Sequence, residues 1–152
     1  MKAILVYTAD LYSTCFRIGY FPLAPGTLGS LIALIAWFLL PETSAINLIL
    51  IISIVFIIGV FATGLIEKEY NIEDPSYIII DEWVGMWVAL LFVPNDTIWF
   101  VFAFILFRSF DILKIYPANI IEKLNGGMGI MLDDIVAGLY AGLITNGIAR
   151  II

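Results

Sequence analysis

The sequence predicts an all-α fold: a polytopic membrane helical bundle of about five transmembrane helices, preceded by an amphipathic helix at the N-terminus. Three observations predict it. Of the 152 residues, 62% are hydrophobic and 13% charged, about half the charged fraction of an ordinary soluble domain. Mean hydropathy is +1.08. Apolar stretches of helical length recur between short turns marked by Pro, Gly and Asn. The length suits one domain, residues 1–152.

Residues 1–20, MKAILVYTADLYSTCFRIGY, read as the amphipathic surface helix. Asp10 interrupts their apolar run and no small-residue cleavage site follows, which argues against a secretory signal. The first span, residues 27–40, follows Pro25 and Gly26, with Thr27 as a candidate cap and Pro41 as its stop. Residues 45–66 carry no charge, and at about 1.5 Å per residue they cross a hydrocarbon core of about 30 Å. Residues 78–93, 98–114 and 130–148 supply three more spans, each with charged residues near one end.

Threading five spans puts residues 1–26, 67–77 and 111–132 on one side. Lys2, Arg17, Lys68, Arg108, Lys114 and Lys123 fall at or near that side, and Arg150 alone lies opposite. The positive-inside rule makes the first side, with the N-terminus, cytoplasmic. The same threading brings FPLAPGT, Asp81 with Glu82, the Arg108 to Lys114 cluster and GGMGIMLDD to that face.

The net charge of −6 and the lack of a basic run leave a nucleic-acid surface without an electrostatic basis. One cysteine, Cys15, allows neither an internal disulfide nor a cysteine metal cluster. No histidine occurs, which excludes histidine nucleophiles, Ser-His-Asp triads and histidine-bound zinc.

Chemistry is left to carboxylates, Arg, Lys and a hard metal ion. Acids at membrane depth cost roughly 2.5–3.5 kcal/mol each at a helix centre, so paired acids there call for a use. Asp81, Glu82, Asp133 and Asp134 are hard oxygen donors without His or Cys, a set that suits Mg²⁺. Gly85 and Gly138 each lie one turn beyond an acid, Asp81 or Asp134, and close helix packing there would join the two pairs. In RSFDILK, Arg108, Asp111 and Lys114 are three apart on one helix side. They form either a self-neutralising stripe or a phosphate clamp, with Asp111 orienting Arg108 or binding metal. Gly127 and Gly129, ahead of the last span, offer backbone N–H groups that could hold an anion.

FPLAPGTLGS, DEWVG, RSFDILKIYP with Glu122 downstream, and GGMGIMLDDIVAG occur in the order of the phosphatidylglycerophosphatase A family, and the chain resembles that family over residues 19–142. One departure is visible: the residue after Lys114 is Ile115, where the family commonly has proline, while Pro117 is kept. The resemblance implies Mg²⁺-dependent hydrolysis of phosphatidylglycerophosphate, an anionic phospholipid, to phosphatidylglycerol and phosphate at the bacterial inner membrane. Under it Asp81, Asp111, Asp133 and Asp134 are catalytic candidates, and Asp81, Glu82, Asp133 and Asp134 the metal ligands. Arg108, Lys114, Thr27, Gly127 and Gly129 face the phosphate, supported by Glu122, Gly85 and Gly138. Attack by a metal-activated water or by an aspartate both remain open. Other phosphatase types do not fit: Cys15 has Phe21, not arginine, six residues on, and the Asp-x-Asp triplet of haloacid-dehalogenase phosphatases is absent. The alternative from another class is a small cation transporter or channel using the clustered carboxylates.

Overall fold

A computed structural model describes residues 2–152, and these are α-helical with no strand among them. The helices are α1 (Lys2–Ser13), α2 (Pro25–Leu39), α3 (Ala45–Tyr70), α4 (Ile80–Leu90), α5 (Thr97–Leu113), α6 (Ala118–Ile121) and α7 (Gly127–Ala149), with a 3-10 turn at Ile18–Tyr20.

The helix expected over residues 1–20 ends at Ser13 (Met1 lies outside the described residues). Cys15, Phe16 and Arg17 follow with φ of 46°, 58° and 72°, a left-handed run that no helix can continue through. Tertiary contacts hold it: Ile79 N–H donates to the Ser13 carbonyl at 2.9 Å, and the Gly19 Cα packs so closely under the Tyr77 carbonyl that a Cβ would overlap it. Lys2 pairs with Glu69 at 2.8 Å and the Tyr12 hydroxyl donates to the Val55 carbonyl at 2.8 Å. Helix α1 therefore runs antiparallel along the C-terminal half of α3.

Two helices, α3 and α7, are long and apolar enough to cross a membrane. Helices α2, α4 and α5 have 15, 11 and 17 residues. At 1.5 Å per residue α4 covers about 16 Å, roughly half the hydrocarbon core. The segment read as residues 78–93 shortens because Ile79 (φ −140°, ψ 7°) lies outside helical geometry and Leu91 begins the turn towards Pro94.

Helix α4 is apolar beyond the acids of its first turn and is almost wholly buried, packing along α7 and α2 and touching α3 and α5. Trp87 crosses from α4 to donate to the Ala33 carbonyl at 2.9 Å. Helix α3 is just as apolar but mostly exposed: Ile46, Ile49, Leu50, Ile54, Ile57, Ile58 and Phe61 point outward. With Leu31, Ile35 and Phe38 on α2 and Val101 and Ile105 on α5, they give an exterior suited to hydrocarbon rather than water.

Candidate active site

A cleft of about 360 Å³ gathers residues from five segments: Ala24 to Thr27 at the start of α2, Asp74, Ser76 and Ile78 before α4, Asp81 and Glu82, then Arg108, Asp111, Ile112 and Lys114, and finally Asp133 and Asp134. The acids of α4 stand in its first turn, where the positive end of the helix dipole favours carboxylates. Those of α7 do not. The helix begins at Gly127, so Asp133 and Asp134 lie in its second turn.

Backbone proximity brings the two acid pairs together. A Cβ on Gly138 would overlap the Gly85 carbonyl oxygen and lie 3.0 Å from its carbon; one on Gly85 would lie 2.7 Å from the Asp134 carbonyl. Helices α4 and α7 thus touch main chain to main chain one turn beyond Asp81 and Asp134.

Three carboxylates converge. One oxygen from each of Asp81, Glu82 and Asp134 lies within 4.8 Å of the other two. Asp81 Oδ1, Glu82 Oε2 and Asp134 Oδ2 are buried without a hydrogen-bond partner. Buried like charges lacking donors are costly, and a divalent cation with oxygen preference is the ligand that relieves both costs. The donor set therefore fits Mg²⁺.

Asp133 is committed elsewhere. Its Oδ2 accepts from Lys114 Nζ at 2.5 Å and its Oδ1 from the Asp134 N–H at 3.0 Å. Lys114 terminates α5 in the left-handed conformation, φ 46°, with its N–H bonded to the Phe110 carbonyl. It thereby leaves the helix side shared by Arg108 and Asp111. Its amine lies 3.1 Å from Glu122 Oε2 and 4.0 Å from Asp74 Oδ2. The partly buried ammonium is thus surrounded by the carboxylates of Asp133, Glu122 and Asp74.

The proposed clamp therefore divides in two. Arg108 Nη1 pairs with Asp111 Oδ2 at 2.5 Å and lies 3.8 Å from Glu82 Oε1, while Lys114 serves Asp133 and Glu122. Thr27 lines the cleft as the third residue of α2, not its cap; Ala24 occupies that place with φ 46°.

Gly127 and Gly129 are not brought to the cleft. A Cβ on Gly127 would overlap the Val60 carbonyl and crowd the Thr63 hydroxyl, and one on Gly129 would overlap the Leu124 carbonyl. Close packing accounts for both.

Sequence reasoning missed Gly26, Ser30, Asp74 and Ser76. A Cβ on Gly26 would overlap the Glu82 carboxylate and come within 3.1 Å of Arg108 Nη2, so the absence of a side chain lets the charged wall of the cleft pack against the start of α2. The Pro-Gly pair ahead of a helix signalled a turn and nothing of this approach. Asp74 and Ser76 sit in a loop with no pattern to mark them.

A family model described as Phosphatidylglycerophosphatase A matches residues 11–149. A Bacteroides thetaiotaomicron protein, provisionally named phosphatidylinositol-3-phosphatase, is 40% identical over 139 residues, covering 86% of this chain and 87% of its own. Proteins named Phosphatidylglycerophosphatase A from Escherichia coli K12 and Haemophilus influenzae are 36% and 34% identical, covering 86% and 97% of this chain and 77% and 92% of theirs. No solved structure matches.

Proposed function

The chain belongs to the phosphatidylglycerophosphatase A family and is a phosphatase acting on a phosphate monoester; from that premise we propose that it removes the phosphate of phosphatidylglycerophosphate, with Mg²⁺, at the cytoplasmic face of the bacterial inner membrane. The observation that carries the metal and the site is the convergence of unpartnered Asp81, Glu82 and Asp134 oxygens beside two cations in one cleft.

In this reading Asp81, Glu82 and Asp134 hold the ion. When bound, Mg²⁺ supplies Lewis acidity and neutralises phosphate charge. Arg108 and Lys114 bind the phosphoryl oxygens and stabilise the charge that grows on them in the transition state. Asp111 orients Arg108; Asp133 and Glu122 orient Lys114. Water forms the new P–O bond as the bond to the glycerol oxygen breaks, and its proton passes to a cleft carboxylate and from there to the departing alkoxide, with Asp81, Asp111, Asp133 and Asp134 as the catalytic set. Rapid-quench trapping of a phosphoenzyme would replace the water with an aspartate nucleophile.

The five-span topology accompanies this proposal, the shorter α2, α4 and α5 lying within the bilayer beside α3 and α7. A cation path is disfavoured because Arg108 and Lys114 stand among the carboxylates and would repel the permeant ion.

The 40%-identical relative raises a second head group, an inositol phosphate. Phosphate release by purified protein, from phosphatidylglycerophosphate and from phosphatidylinositol 3-phosphate, with Mg²⁺ and with chelator, tests the assignment. Preference for the first with Mg²⁺ supports it. Preference for the second overturns the head group, and full release under chelation overturns the metal.

A further inference from the structure

Ser30 is fully buried in α2, one turn beyond Gly26. Its hydroxyl donates to the Gly26 carbonyl at 2.8 Å. Such a bond to the residue four back is the ordinary resting place of a buried helical hydroxyl; Thr63 and Thr145 make the same bond to Gly59 and Ala141. Ser30 differs in a second contact. Its Oγ accepts from Arg108 Nη1 at 3.3 Å, across 78 residues of sequence. Because the hydroxyl has one proton and the Gly26 carbonyl holds it, the lone pairs of Oγ are what remains to face the guanidinium.

Arg108 Nη1 therefore has three acceptors about it: Asp111 Oδ2, Ser30 Oγ and Glu82 Oε1. The rest of the guanidinium is less committed: Nε is buried with no partner, and Nη2 lies at the cleft wall near Gly26, beside the Glu82 carboxylate that packs against the Gly26 backbone. A guanidinium is planar with its donors in a fixed fork, so anchoring one nitrogen decides where the others point.

We infer that Ser30 is a positioning residue for the reaction, locking Arg108 through Nη1 so that the planar fork is held at the angle from which Nη2 meets the substrate phosphoryl group. This rests on Arg108 being the phosphate-binding group. Ser30 itself touches no reacting atom. Its contribution passes through the guanidinium and depends on a planar fork to orient; a lysine, whose ammonium has no edge, has nothing for Ser30 to align.

The test is a double-mutant cycle with phosphatidylglycerophosphate in detergent micelles and Mg²⁺, comparing Ser30→Ala, Arg108→Lys and the double variant. Losing a hydrogen bond to a charged group lowers kcat/KM about tenfold or more for Ser30→Ala, and Ser30→Thr, which keeps the hydroxyl, recovers most of it. In the Arg108→Lys background, Ser30→Ala changes kcat/KM by less than about twofold. An equal loss in both backgrounds means that Ser30 does not act through Arg108 and overturns the proposal. So does unchanged turnover in Ser30→Ala. Wild-type kcat/KM in Arg108→Lys instead removes Arg108 from phosphate binding, overturning the underlying reading as well.

Discussion

Gly138→Ala tests the reasoning about helix contact more sharply than any charge deletion, because it adds one methyl group and removes nothing. The new Cβ would lie 3.0 Å from the Gly85 carbonyl carbon and 3.3 Å from its Cα, with the carbonyl oxygen nearer still. Unstrained carbon contacts are about 3.5–4.0 Å. Both sides are main chain within helices, so no side chain can swing away and α4 and α7 must part by on the order of 1 Å. Overpacking costs about 1–3 kcal/mol, offset by about 1 kcal/mol from alanine's helix preference. The net loss, about 0–2 kcal/mol, leaves the protein folded. Catalysis suffers more, because Asp81 and Asp134 lie one turn from the wedge and a displacement of about 1 Å can cost about a hundredfold. We expect kcat/KM to fall about a hundredfold and the Mg²⁺ concentration for half-activation to rise, with Tm little changed. Gly147→Ala is the control, since its Cβ would meet nothing within 4 Å. Gly138→Ala with wild-type turnover and wild-type Mg²⁺ dependence would refute the claim that this backbone contact sets the spacing of the acids.

Asp134→Asn removes one charge from three crowded carboxylates: it lowers turnover at least about a hundredfold, raises Tm in chelator by relieving repulsion, and abolishes the Tm increase that Mg²⁺ gives the wild type, all read by thermal melts beside the phosphate assay. Lys114→Met leaves Asp133 and Glu122 unpaired and is expected to lose turnover about a hundredfold with a drop in Tm, whereas Glu122→Gln, a partly exposed partner at 3.1 Å, loses less than about tenfold. Gly26→Ala places a methyl group against the Glu82 carboxylate and Arg108 Nη2, so KM for the lipid rises while the far end of the bundle is undisturbed. Asp96→Ala deletes the cap whose side chain accepts from the Ile98 N–H at 2.9 Å; it lowers stability by about 1 kcal/mol and leaves kcat unchanged.

Why some of this was legible and some not follows from which forces the sequence displays. Hydropathy displays burial in lipid or core, and so α3 and α7 could be read almost to their ends. It cannot display backbone breaks that only tertiary contacts hold. The left-handed run at Cys15, Phe16 and Arg17 contains no glycine or proline, and it stands because Ile79 bonds back to Ser13 and Gly19 lies beneath Tyr77. The hydropathy of residues 78–93 likewise hides the breaks that cut α4 to 11 residues.

The acids show the same divide at the scale of one turn. Successive residues of a helix point about 100° apart, so Asp133 and Asp134, equivalent as letters, cannot face the same neighbours. Helix α4 claims Asp134 through the Gly85 to Gly138 contact; the left-handed end of α5 delivers Lys114 to Asp133. The departure after Lys114, where Ile115 stands, leaves that delivery intact, because the turn is made at Lys114 itself. The division has a consequence for charge. Asp81, Glu82 and Asp134 carry one basic neighbour, Arg108, whose Nη1 is shared with Asp111, while Asp133 and Glu122 enclose Lys114. The first group keeps unpartnered oxygens, whereas the ammonium of Lys114 already sits among the acids of the second. A metal ion would therefore be held by Asp81, Glu82 and Asp134 at one end of the cleft and not by Asp133 at the other. That is an argument the linear spacing of the acids could suggest but only the packing of α4 against α7 could complete.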